Sequence, residues 1–307
     1  DLHTAYRRQR QMCIRDRSDA PANDGMPDAS RDLTSELVKL VQAMQEIKSE
    51  EDSRVNSYEI FVNQKQTRIR NSRGVDVTFS GFDCEIEVVT NSRKDDHEIE
   101  IYRDLRFSDK SAEKIIAEVR GMFHTGRQRL NAVPTRQNEH ADVLLSGDAV
   151  GSFFQYFAMH TNASYQYMGV AKAKIGESIT GADADPLNIR LVPTLDGSAK
   201  NAPYDETGMP VAERVLFENG ICRSYWGSLQ HAHYIGMKDT TSMNNMVVEG
   251  GSKTLDELRS MPHIEITDFS AFDMDAVSGT CGGEIRLAYE SDGTTSHPTT
   301  SGSLSAR

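Results

Sequence analysis

Two histidines one residue apart, His231 and His233 in the stretch QHAHYIG, could hold a metal. On a strand that spacing puts both rings on one face. No third ligand stands beside them, so a polar surface or turn is the plainer reading. Glu139 and His140 are an adjacent pair of ligand types, set in a stretch that reads as solvated loop. Asp205 and Glu206 resemble the paired carboxylates of general acid–base chemistry. Cys222 and Cys281 lie in strand-like stretches and read as buried thiols acting as small hydrophobes. Phe153, Phe154 and Phe157 fit core packing on one helix face better than a substrate box. Gly250-Gly251 is too short for a phosphate loop and reads as a turn.

Composition narrows the chemistry further. The chain has 307 residues, room for one large domain or two ordinary ones, and 37% of them are hydrophobic, enough to bury a core. With 34 basic against 46 acidic residues the net charge is −12. Such a surface repels phosphate backbones, which argues against a nucleic-acid partner. No window approaches the ~20 apolar residues of a spanning helix, so no membrane partner is expected. Four cysteines lie far apart without a CxxC pair, which fits a reducing, cytoplasmic setting rather than a disulfide framework or zinc ribbon.

The opening DLHTAYRRQRQMCIRDRS contradicts this acidic picture with five arginines and no apolar period. It lacks the apolar core of a secretory signal. As an arm it would offer phosphate contacts. The genetic code supplies a third reading: Arg7 to Arg17 translate a transposase-type sequencing adapter without a break, and the residues before them fit its outer arm and barcode. Residues 1–17 are therefore set aside as an adapter-derived artefact, which leaves the remainder more acidic still and its native start unread.

Periodicity divides the rest into two domains, residues 18–132 and 133–307, both expected to be truncated. Residues 18–31 read as loop. Leu33, Leu37, Leu40, Val41, Met44 and Ile47 share one helical face from about 32 to 48. The period then drops to two: Tyr58, Ile60 and Val62 alternate with polar residues, TRIRNSRGVDVTF reads as two strands around an Asn-Ser-Arg-Gly turn, and CEIEVVT and HEIEIYRDLRF continue the pattern. Ser111 caps a second helix marked by Ile115, Ile116, Val119, Met122 and Phe123. A helix from about 148 to 160 opens the second domain, which then becomes β-rich through LNIRLVPTL, RVLFENGICRSYW, NMVVEGG, HIEITDFSAFDM and GEIRLAYESDG. Phe217-Glu218-Asn219-Gly220-Ile221 reads as a hairpin with an Asn-Gly turn. The last stretch, SDGTTSHPTTSGSLSAR, is polar. The fold class is α+β: an N-terminal helix–antiparallel sheet–helix domain followed by a β-rich C-terminal domain.

The order LLSGDAVGSFFQYFAMH, KIGESI, PYDETGMPVAERVLFENG, MNNMVVEGG, AFDMDAVSGTCGGEIRLAYESDG resembles the TldD/PmbA family, which supplies the subunits of a two-component bacterial metallopeptidase. The likeness covers most of residues 56–300. Its most specific part is Asp205, Glu206, Gly208 and Pro210, followed by the Asn219-Gly220 hairpin; Asn245 and the stretch from Ile69 to Gly74 also fit. The resemblance makes Asp205 and Glu206 part of a structural turn.

The family's catalytic member carries a His-Glu-x-x-x-His helix, in which two imidazoles hold zinc and the glutamate activates a metal-bound water. By position the matching residues here are Gln155, Tyr156 and His160. A glutamine carbonyl is a poor zinc ligand, and a phenol, protonated at neutral pH, is a poor base. The family's third ligand, a cysteine, falls beyond the last residue given, and Cys281 does not stand in for it. The resemblance therefore implies the PmbA (TldE) side of the family: a non-catalytic subunit with no metal or cofactor of its own. Zinc is expected only in the catalytic partner. The expected partners are a TldD-like chain, or a second copy of itself, and an unfolded peptide substrate. An atypical metallopeptidase built on His160 and a peptide-binding scaffold without protease activity are the alternatives.

Overall fold

The computed structural model describes residues 31–137 and 140–307; the adapter reading of residues 1–17, the loop at 18–30 and Glu139 lie outside them. Helix α1 (Leu33–Gln45) buries Leu40, Ala43 and Met44, so its inward face is narrower than the apolar stripe suggests: Leu37 and Val38 are exposed. Strands β1 (Ser53–Arg70), β2 (Asp76–Lys94) and β3 (His97–Phe107) follow, in spatial order β1-β2-β3. The first turn is made by Asn71, whose Oδ1 accepts from the backbone N–H groups of Arg73 and Val75, and by Gly74 at φ 96°. β2 runs without interruption through Ser80-Gly81, and its inward side chains Cys84, Ile86, Val88, Thr90 and Ser92 alternate as a half-buried strand requires. Helix α2 (Ala112–Asn131) begins where expected: Ser111 accepts from Lys114 N, and Ile115, Val119, Met122 and Phe123 are buried.

Next come β4 (Val133–Pro134), β5 (Val143–Leu145), α3 (Asp148–Met159), α4 (Ala163–Met168), β6 (Ile189–Val192), β7 (Arg214–Glu218), β8 (Ile221–Cys222), α5 (Leu229–Tyr234), β9 (Asn245–Val248), α6 (Leu255–Arg259), β10 (His263–Met274), β11 (Cys281–Ser291), β12 (Ser296–Thr300) and β13 (Ser303–Ala306). The polar last stretch is thus structured. β12 and β13 lie in succession along one edge of β11, from Ser291↔Ser296 to Cys281↔Ala306, with Ser301 and Gly302 at positive φ between them. β12 lies between β4 and β11 and buries Thr299, but its Ser-His-Pro-Thr-Thr sequence carries no apolar alternation to read.

The fold is mixed α+β, as the periodicities indicate. By contacts it forms two compact units, each discontinuous in sequence. One comprises 33–62, 84–157 and 250–307. It holds α1, β3, α2, α3 and the sheet of order β4-β12-β11-β10-β5, with β13 also on β11. Its sheet core is Ile266, Ile285 and Ala288, with Ile264, Phe269 and Leu304 packed on them. Among described residues the other unit comprises 31–32, 63–83 and 158–249. It holds the sheet β8-β7-β6-β9, whose buried residues include Ile189, Leu191, Leu216 and Phe217. The β1–β2 hairpin is long enough that its base belongs to the first and its tip to the second. A linear boundary at 132/133 follows the order of elements, whereas the compact units follow this hairpin.

Candidate functional site

Gln155 and Tyr156 stand in α3, and His160 is the first residue past its end. The helix stops because the Ala158 carbonyl is taken by other donors: Thr161 Oγ1 at 2.7 Å, Thr161 N at 3.1 Å and the Trp226 indole N–H at 2.9 Å. Asn162 then caps α4 through Ser164 N. The helix thus ends within a residue of the expected limit. Gln155 and His160 are five residues apart, which a straight helix would set about 140° apart around its axis, and the second position lies just past the helix end.

The three side chains do different things. Gln155 is exposed. Tyr156 is half-buried, in an edge-to-face contact with Phe157, centroids 5.3 Å apart. The rings of Phe153, Phe154 and Phe157, each half-buried, lie within 5.4–6.3 Å of one another. His160 is fully buried. Its Nδ1 accepts the backbone N–H of Lys172 at 3.1 Å, so the neutral ring carries its proton on Nε2. Burial, with the charge of Lys172, pushes its pKa down to about 4. Tyr165 approaches the ring edge-on, and the Gln166 amide ties the His160 and Ala173 carbonyls together. An exposed amide, a phenol packed in an aromatic contact and an imidazole facing Lys172 do not fit a zinc site.

The signature residues of the second compact unit are brought together by backbone hydrogen bonds. Asp205 Oδ1 accepts from Thr207 N at 2.8 Å, Thr207 Oγ1 at 2.7 Å and Met209 N at 3.0 Å. Gly208, at φ +81°, presses on the tip of the β1–β2 hairpin: a Cβ there would lie 2.6 Å from Val75 Cγ1 and 3.3 Å from Val77 Cγ2. Asn219 and Gly220 have φ of 51° and 77°, the two positive values of a type I′ turn, between the pairs Glu218↔Ile221 and Phe217↔Cys222. The Gly-Glu-Ser-Ile stretch from 176 to 179 adds to β8: Gly176 N donates to Cys222 O at 2.9 Å, Cys222 N to Glu177 O at 3.0 Å and Ile179 N to Gly220 O at 3.1 Å. Asn245, buried on β9, accepts from Ser198 Oγ at 2.6 Å and donates to Asn201 Oδ1 at 3.0 Å, bracing the loop after β6. Glu206, next to Asp205 in the chain, is exposed.

Other candidates resolve as structure. His231 and His233 lie on helix α5, not on a strand, so their spacing turns the rings apart; Ser228 caps that helix and sits 2.9 Å from His231 Nδ1. Cys84, Cys222 and Cys281 are buried free thiols, and burial pushes Cys222 up to about 11. Among the described residues no three His, Cys, Asp or Glu side chains gather as a metal site would require. Sequence reasoning missed Lys172 and Gly279, which touch His160 and Tyr156, and Trp226, which bonds the Ala158 carbonyl; all three come from distant parts of the chain and leave no local signal. It also missed α6, although Thr254 and Glu257 form a capping box that could have been read.

A mixed α+β protein with this order of turns and this α3 belongs to a recognisable class, and the comparisons place it. Residues 138–307, more than half of the chain, match the PmbA/TldA metallopeptidase C-terminal domain. TldE from Thermococcus kodakarensis is similar in structure, with a TM-score of 0.70 at 18% identity over 94% of this chain and 69% of that one. A candidate modulator of a DNA gyrase from Thermotoga maritima gives 0.72 at 16% identity, over 95% and 72%. A candidate gyrase modulator from Bacteroides thetaiotaomicron gives 0.68 at 15%, over 94% and 68%. At these identities the likeness is one of fold. No curated protein matches the chain. The chain belongs to the TldD/PmbA family.

Proposed function

We propose that this chain is the PmbA/TldE-like, non-catalytic subunit of a two-subunit metallopeptidase, paired with a TldD-like catalytic chain and acting on unfolded peptides in the cytoplasm. One observation carries the reading. At the positions where the resemblance places the first zinc ligand and the base, the chain has an exposed Gln155 and a packed Tyr156, while His160 is buried against Lys172. The zinc and the water-activating glutamate would then belong to the partner. Free buried thiols agree with a reducing compartment. Association of two such chains would bury more than ~2,000 Å² if the pair is obligate.

The test is to purify the chain alone and co-expressed with a TldD-like subunit encoded beside it, then measure mass, zinc by elemental analysis and cleavage of an unfolded peptide. The expected result is no stoichiometric zinc and no cleavage alone, and both with the partner. One tightly held zinc per chain, lost in His160→Ala, would overturn the reading in favour of an atypical metallopeptidase. A monomer that never co-purifies with that subunit would favour a scaffold.

A further inference from the structure

We infer that Tyr156 is a docking post for the turn between β10 and β11, and that this contact fills the helix position where a catalytic relative would carry its base. The inference rests on the reading of residues 155–160 as the degenerate motif and adds what has taken the base's place. The turn is closed by its own hydrogen bonds. Asp275 N donates to Thr280 O at 2.8 Å and Gly279 N to Asp275 O at 3.0 Å, while Asp275 Oδ1 accepts from Val277 N at 3.2 Å and Ser278 N at 2.5 Å. Gly279 sits at φ +80°, a conformation that an L side chain rarely adopts.

Gly279 is also where the turn meets α3. A Cβ built on it would stand 3.1 Å from the Tyr156 hydroxyl oxygen, 3.3 Å from Cζ and 3.4 Å from Cε2. The far end of the phenol therefore rests on the glycine, with Phe157 edge-on to the same ring. A residue that activates water must present its functional end to water and substrate. Here that end lies against the glycine of a closed turn, on a ring that is half-buried. A glutamate at 156 is shorter than the ring and carries a charge, so it would open a gap under the turn and bring a carboxylate against it. The position has changed from one that needs access to one that needs cover.

A double-mutant cycle in the full chain tests the contact. Gly279→Ala should cut the folding equilibrium constant, read by urea denaturation, about tenfold or more, because strain and crowding act together. In a Tyr156→Ala background the same change should cost about threefold, since only the backbone strain remains. Tyr156→Phe, which keeps the ring and removes the closest atom, should fold like the parent and soften the effect of Gly279→Ala; it serves where Tyr156→Ala does not fold. Amide exchange should rise in the 275–280 turn of Tyr156→Ala while α3 stays protected. Additive losses with unchanged exchange in the turn would overturn the inference, as would loss of protection across α3 instead. These readouts use this chain alone, so their failure is distinguishable from failure to bind a partner or to lack zinc.

Discussion

The turn at Asp205 and the helix at Gln155 lie in different compact units and treat their signature positions differently. At the turn, Asp205 receives three hydrogen bonds and Gly208 lets the chain approach Val75 within less than a methyl group's reach. In α3, Gln155 faces solvent and Tyr156 packs. Residues that set backbone shape have few substitutes, because a positive φ or a multiply bonded carboxylate is hard to replace. Residues that serve chemistry can be exchanged for packing or solvation with little consequence for folding. A family likeness that rests on turns therefore identifies architecture securely and says less about activity.

The largest effect is expected at the turn. Gly208→Ala should destabilise the chain by about 3 kcal/mol, adding left-handed strain to overlap with Val75. Urea denaturation measures it; a loss below about 1 kcal/mol would remove the contrast between the two regions, since the turn would then be as tolerant as the helix.

A smaller effect should follow pH. The folded pKa of His160 is about 4 against 6.5 for an ordinary histidine, so the folded state favours the neutral ring. As pH falls below 6.5 the unfolded chain binds a proton that the folded chain refuses. The stabilisation is complete above pH 6.5 and declines as pH falls towards 4, amounting to about 2 kcal/mol between pH 7 and 5. Urea midpoints at the two pH values, compared with those of His160→Gln, isolate it; an unchanged difference in that variant would assign the pH dependence to other groups.

The smallest effect is expected at the first motif position. Gln155→Ala should shift stability by no more than about 0.5 kcal/mol, as exposed side chains without special roles do. It should also leave recovery of a complex with a TldD-like subunit unchanged. A severe loss of either would show that Gln155 has a binding role, and the comparison would then be between two kinds of constrained site.

Local patterns were enough to place α1, α2, the Asn71–Gly74 turn, the Asn219-Gly220 hairpin and the start of α3. Each depends on neighbours in sequence: a cap, a period, or two residues able to take positive φ. The pattern failed where the deciding partner is distant. The last hydroxyl-rich residues have no period of their own and become strands only because β11 offers an edge. For the candidate site, sequence alone determined which chemical groups stand at positions 155, 156 and 160, and that these are poor for zinc chemistry. Only the tertiary structure decided what they do instead. Trp226 and Thr161 end the helix before His160, Lys172 receives its ring and Gly279 meets Tyr156. Hydrogen bonds and van der Waals contacts act over a few ångströms in space, whatever the number of residues between the partners along the chain.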